Sequence, residues 1–134
     1  MGKARSLTTP PKVTLDTGAL IAIERGDRRM IAVLDQIVAQ SERLHIPAGA
    51  LGQAWRDGRR QARLARLLHG TEVEVVPLDS AMSRACGELL ASSGTSDVID
   101  ASVVIVGRRA QGPIFTSAPD DLARLDPKAP LVKV

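Results

Sequence analysis

Short β-branched or apolar runs alternate along this chain with segments that place apolar residues at helical spacing. This alternation constrains the fold most, because a strand that feeds a helix returns to a parallel neighbour with the helix packed on the sheet. Val13, Thr14 and Leu15 form a first strand ended by Asp16, and TGALIAIERG spaces Leu20, Ile21, Ile23 and Glu24 as a helix until Gly26 stops it. Asp27 caps a second helix to about Gln40, with Met30, Ile31, Val33, Leu34, Ile37 and Val38 as its apolar stripe. Leu44 to Ile46, before Pro47, reads as a second strand, and Ala48 to Trp55 as a third helix interrupted by Gly58. A fourth helix is expected from Arg59 to Leu68, with Arg59, Arg60, Arg63 and Arg66 on one side and Leu64, Leu67 and Leu68 on the other. Glu72 to Val76 has the period of a half-buried strand, and Asp79 or Ser80 caps a fifth helix to about Ala91. After the polar link SSGTS comes a mostly buried sixth helix, Asp97 to Ala110, then a strand at Pro113 to Phe115, a short helix at Pro119 to Leu125 and a last strand at Leu131 to Val134.

The expected fold class is therefore α/β, with a largely parallel five-stranded sheet covered on both faces by about seven helices. At 134 residues the chain fits one domain over 12–134, preceded by an extended, proline-bearing tail over 1–11. No run approaches the ~18 apolar residues of a membrane span. The opening MGKARSLTTPPK lacks the apolar stretch of a secretory signal, so no membrane association and a cytoplasmic location are expected. Cys86 is the sole cysteine, which excludes an internal disulfide and a cysteine-based zinc site and leaves the role of a small buried residue. The positive charge is nearly all arginine, suited to phosphate and carboxylate forks, while Trp55 and Phe115 are the only aromatics. A nucleic acid would thus be held by its backbone rather than by base stacking.

In open parallel sheets, sites lie beyond the carboxyl ends of the strands. The acids fall there. Asp16 directly follows the first strand, Asp97 and Asp100 are three apart at the start of the sixth helix, and Asp120 and Asp121 follow the fourth strand through Thr116, Ser117, Ala118 and Pro119. Carboxylate oxygens from separate segments select hard cations such as Mg²⁺ or Mn²⁺, and the chemistry this favours is metal-assisted phosphodiester hydrolysis. Three of these acids also have a plain structural role available. Asp97, Asp120 and Asp16 are each placed to cap a helix, whereas Asp100 sits inside an otherwise apolar helix where an unpaired charge is costly. The arginines from Arg56 to Arg66 either grip phosphates or form a solvated face.

Other site classes fit poorly. His45 and His69 lack the spacing of a zinc protease, and there is no glycine-flanked serine elbow, no phosphate-cradling loop and no dinucleotide turn. A phosphoacceptor receiver would need paired acids at the first strand, where Asp16 stands alone, and a dehalogenase-type phosphatase a second Asp where Gly18 stands.

The segments VTLDTGALIAIERG, IPAGALGQAWRDGRRQARLARLL, EVEVVPLD, GTSDVIDASVVIVGRR and PIFTSAPDDLARL together resemble the PIN-domain family, specifically VapC toxins of bacterial type II toxin–antitoxin modules. The resemblance spans about Lys12 to Leu125. It implies a PIN-like three-layer sandwich and a small Mg²⁺- or Mn²⁺-dependent endoribonuclease that cuts tRNA or ribosomal RNA. It also implies a homodimer or a toxin–antitoxin hetero-oligomer, neutralised by a VapB-type antitoxin. By position, Asp16, Asp97 and Asp100 look like the metal-binding acids, and Asp121 completes the catalytic set. Thr17, Gln53, Thr116 and Ser117 are expected to orient water or substrate, and Arg56, Arg59, Arg60 and Arg63 to hold the RNA backbone. The apolar faces of the first, second and fourth helices suggest a groove for a partner helix.

Two positions depart from the family pattern. Gln53 stands where a Glu is common, and Ala118, where the last motif often carries Asp or Asn, has no ligand atom. They keep a second reading open, a degenerate PIN domain that mainly binds an antitoxin.

Overall fold

The computed structural model describes residues 12–40 and 42–134, so the expected tail over 1–11 lies outside the described residues. The elements follow in the order β1 (Lys12–Leu15), α1 (Thr17–Glu24), α2 (Arg28–Ala39), β2 (Arg43–Pro47), α3 (Ala48–Ala54), α4 (Ala62–Leu68), β3 (Val73–Val76), α5 (Ser80–Ser93), α6 (Val98–Ala110), β4 (Ile114–Thr116), α7 (Pro119–Leu125) and β5 (Leu131–Lys133). All strand pairs are parallel, in the order β3-β2-β1-β4-β5, which fixes the α/β class.

Alternate residues of the strands feed two cores. Val13, Leu15, Leu44 and Ile46 pack with Leu20, Ile23, Met30, Ile37 and Leu64 on one face. On the other face Ile114 meets α6, whose residues from Ala101 to Gly107 are all buried, together with Met82, Cys86, Leu122 and Leu125. Cys86 is thus the small buried residue its isolation predicts. Trp55 packs against the first core, and its indole fills the space beside Gly58. No single helix is long and apolar enough to cross a membrane among the described residues.

Four helices begin at an aspartate whose Oδ1 accepts an amide N–H three residues on: Asp16 from Ala19, Asp27 from Met30, Asp79 from Met82 and Asp97 from Asp100, each at 2.9 Å. A cap of this kind satisfies an otherwise orphaned donor and contributes about 1 kcal/mol. α5 runs on to Ser93, past its expected end, and stops at Gly94, whose left-handed backbone (φ 74°) a glycine adopts without a Cβ clash.

One expected element changes. α4 begins at Ala62 rather than Arg59, because the amides of Arg60 and Gln61 both donate to the Asp57 carbonyl (3.0 and 2.9 Å) and close a turn through Gly58. Arg59 and Arg60 therefore lie in that turn, and the single arginine face over Arg59, Arg60, Arg63 and Arg66 does not form.

Candidate functional site

The strand order reverses direction at β1: the chain moves outward from β1 to β2 and β3, then returns to the other side for β4 and β5. A crevice at such a switch point lies beyond the carboxyl ends of β1 and β4. Asp16 sits there, continuing β1 by donating its amide to the Phe115 carbonyl at 3.1 Å. The residue is 7% exposed. Burial pushes its pKa up, opposed by the neighbouring Thr116 hydroxyl and the amides of Ala19, Ser117 and Gly18, of which the Ala19 amide donates to Oδ1 at 2.9 Å. Thr116, fully buried, also accepts from the Ala118 amide at 2.9 Å, which ties Asp16 to the turn after β4.

Gly18 makes this closure feasible. A Cβ there would fall 1.9 Å from the Ser117 hydroxyl oxygen, so only a hydrogen lets α1 and the end of β4 approach this closely. Beside Asp16, the Thr17 hydroxyl donates to Gln53 Oε1 at 2.7 Å and approaches the Ala50 carbonyl at 3.3 Å. α3 starts at the end of β2 and has reached the first turn of α1 by Gln53, so it lies across the strand ends. The four side chains expected to support the site, Thr17, Gln53, Thr116 and Ser117, gather around the end of β1.

The other acids line a neighbouring cleft of about 290 Å³, formed by Thr95, Ser96, Asp97, Asp100, Asp121, Arg124 and Leu125. Arg124 is its one cationic wall among the described residues, 3.6 Å from Asp121. Asp97 spends Oδ1 on the cap of α6, which leaves Oδ2 free. Asp100, half-buried, has its pKa pushed up to about 6 by burial first, and then by the negative charges of Asp97, Asp121 and Asp16. The cleft acids and the strand-end acid thus act on one another electrostatically. Asp120 is exposed on the first turn of α7 and is not part of the cleft wall.

The donor chemistry fits a hard divalent cation: oxygen ligands, no thiol or imidazole beside them, and excess negative charge that burial makes costly. No three acidic, imidazole or thiol groups among the described residues are drawn together tightly enough to chelate one ion. A cation would have to pull Asp16, Asp100 and the free oxygen of Asp97 inward.

The four candidate arginines separate. Arg56 turns its guanidinium onto the carbonyls of Trp55 (2.6 Å) and Gly52 (3.2 Å) at the end of α3. Arg59 and Arg60 project from the α3–α4 turn with side chains 94% and 88% exposed. Arg63 donates to the Glu24 carbonyl at 3.1 Å and lines a different, mostly apolar groove of about 510 Å³ with Ile31, Leu34, Val38, Arg66 and Leu67. Thr95, Ser96 and Arg124 were not singled out by sequence. Arg124 had a readable signal, its spacing three residues after Asp121, whereas Thr95 and Ser96 carried none. His45 lies across from Glu74 in the β2–β3 register, its pKa lowered by burial, and stands outside the acidic cleft.

The family model described as the PIN domain matches residues 13–127. No curated protein matches the sequence. Among solved structures, VapBC2 from Rickettsia felis, bound to a DNA fragment from its promoter, superposes with TM-score 0.64 at 16% identity over 92% of this chain and 98% of that one. FitAcB from Neisseria gonorrhoeae gives TM-score 0.58 at 13% identity, covering 89% of this chain and 95% of that one. VapC20 from Mycobacterium tuberculosis, described as a toxin that cleaves the sarcin–ricin loop, gives 0.56 at 19% identity over 76% of this chain and 86% of that one. The solved structures share the fold, and the family model spans β1 to the end of α7 with every acid described above; the chain belongs to the PIN-domain family.

Proposed function

We propose that this chain is a metal-dependent endoribonuclease toxin that hydrolyses phosphodiester bonds in tRNA or ribosomal RNA, acts in the cytoplasm, and is neutralised by a VapB-type antitoxin. The observation that carries this reading is the placement of Asp16 at the topological switch point beside a cleft lined by Asp97, Asp100 and Asp121, near enough for their charges to raise the Asp100 pKa, with Arg124 as the only cation in the cleft wall among the described residues. Family membership supports nuclease chemistry, and the structural neighbours are toxin–antitoxin proteins, one of them described as cleaving the sarcin–ricin loop.

In this reading Asp16, Asp97 and Asp100 hold Mg²⁺ or Mn²⁺, and Asp121 adds to the negative potential. When bound, the cation supplies charge neutralisation at the scissile phosphate and lowers the pKa of a coordinated water. The Ala19 amide fixes the Asp16 carboxylate beside the buried Thr116 hydroxyl, and Thr17 fixes Gln53 at the rim. The apolar groove beside Arg66 is where we place the antitoxin segment, an amphipathic stretch whose apolar face would meet Ile31, Leu34, Val38 and Leu67. The direct test is cleavage of total RNA in Mg²⁺ or Mn²⁺ by wild type and Asp100→Asn. The variant should be silent while circular dichroism reports an intact fold, and a folded variant that cuts at the wild-type rate contradicts the assignment.

The second reading, a degenerate domain that chiefly sequesters an antitoxin, is favoured by two observations. The Gln53 carbonyl is already engaged by Thr17, and Ala118 supplies neither a ligand nor a side-chain cap to α7. In that case Ala118→Asp should create metal-dependent cleavage in an otherwise silent protein, and no gain would count against it.

A further inference from the structure

The α3–α4 loop is held by a side chain that the acidic site does not use. The Gln61 carboxamide oxygen accepts from the amides of Arg56 (2.6 Å) and Asp57 (3.0 Å), and its nitrogen donates to the Ala54 carbonyl (2.9 Å). Three hydrogen bonds from one half-buried side chain thus join the end of α3 to the start of α4. Gly58 completes the loop from the other side, because a Cβ there would lie 2.8 Å from the Trp55 indole. Arg56 is occupied by the α3 carbonyls, and Arg63 by Glu24. Arg59 and Arg60 remain, with only loose pairs to Asp57 at 3.6 and 4.0 Å on a well-exposed surface. Such pairs contribute little and yield readily to a phosphate. The loop also follows directly on the strand-end cluster: it begins at Trp55, two residues after Gln53, whose carboxamide accepts from Thr17 next to Asp16.

We infer that Gln61 is a positioning residue for the substrate grip, clipping the α3–α4 loop so that Arg59 and Arg60 meet RNA backbone phosphates beside the acidic site. The inference rests on the reading of the protein as an RNA-cleaving enzyme. It also divides the four candidate arginines: two contact RNA and two hold the scaffold. Because the loop is ordered before RNA arrives, little of the binding free energy is spent on fixing it. Gln61 touches no phosphate itself and acts only through the two arginines.

The test is the affinity of the full chain for a fluorescein-labelled RNA hairpin, followed by anisotropy in EDTA over a range of salt concentrations. Replacing Arg59 and Arg60 together by Ala should weaken binding and reduce the magnitude of the salt slope by about 1 for each arginine lost. Gln61→Ala should weaken binding about fivefold, and Gly58→Ala, which disturbs the same loop without touching Gln61, should do likewise. Adding Gln61→Ala to the arginine double variant should cost nothing further, since the clip has nothing left to position. In cleavage assays Gln61→Ala should raise KM and leave kcat within about twofold. Losses that add, or a fall in kcat at unchanged KM, would make Gln61 a merely structural residue and overturn the inference. Wild-type affinity in all of these variants, with cleavage intact, would overturn the loop as the grip but leave the nuclease reading standing. A wild-type protein that neither binds nor cuts RNA would remove both.

Discussion

Asp100 shows what a single residue must do in this fold. Its carboxyl is half-buried beside three other acids, so in the cation-free protein it titrates near 6 rather than at the ordinary 3.8. A carboxyl whose pKa is raised by folding binds more protons in the native than in the unfolded state between those values. The native state therefore loses stability as pH rises from about 4 through about 6. Asp100→Asn removes that ionisation. We predict that it raises the thermal midpoint of the cation-free protein at pH 7.5 by roughly 3 °C, and that the gain disappears near pH 4, where the wild-type carboxyl is protonated. Thermal melts in EDTA at the two pH values check this, and a variant less stable than wild type at pH 7.5 would mean that Asp100 is paired rather than crowded. Cation binding and protons compete for the same oxygens, so cleavage should fall as pH drops through about 6. Asp97 separates cap from charge. Asp97→Asn keeps an accepting oxygen for the Asp100 amide and should lose activity with little change in stability. Asp97→Ala should also cost about 1 kcal/mol in a denaturant titration.

At the scale of elements, most of the architecture was legible because its signals are local. The alternation of strand-like and helical runs gave five strands and seven helices, and Asp27, Asp79 and Asp97 announced helix starts that their side chains do cap. The arginine segment from Arg59 reads as helical because nothing in its periodicity separates it from the leucine spacing of Leu64 to Leu68, whereas the helix begins only at Ala62. What delays the helix is the turn that the Arg60 and Gln61 amides close on the Asp57 carbonyl, held by the Gln61 carboxamide on the Arg56 and Asp57 amides, which no periodicity reports. The switch-point placement of Asp16 followed from its position after the first strand, while the dependence of Asp100 on Asp121 required knowing that α6 and α7 pack together. Gly18 was invisible as a packing residue for the same reason. We predict that Gly18→Ala destabilises the protein by about 1–3 kcal/mol through its clash with Ser117, and that Ser117→Gly in the same chain recovers most of the loss. A denaturant midpoint unchanged by Gly18→Ala would show that the turn after β4 yields freely.

In the proposed reading the whole molecule divides cleavage and antitoxin binding between two surfaces. The acidic cleft lies between the start of α6 and α7, while the apolar groove with Arg63 and Arg66 lies among α1, α2, α4 and β3. A partner in that groove covers apolar surface that the domain leaves open, including Val38, which is 43% exposed. We predict that Val38→Glu prevents co-purification with the antitoxin when the two proteins are co-expressed. Retention of the complex would move the contact elsewhere. The central claim, that four acids from three segments form one cation site, is tested most directly by calorimetric titration of Mn²⁺ into the antitoxin-free protein at pH 7.5. The account predicts saturable binding that is lost in the folded Asp16→Asn, Asp100→Asn double variant and weakened at pH 5. Equal binding by wild type and the double variant, or none by a folded wild type, would contradict it.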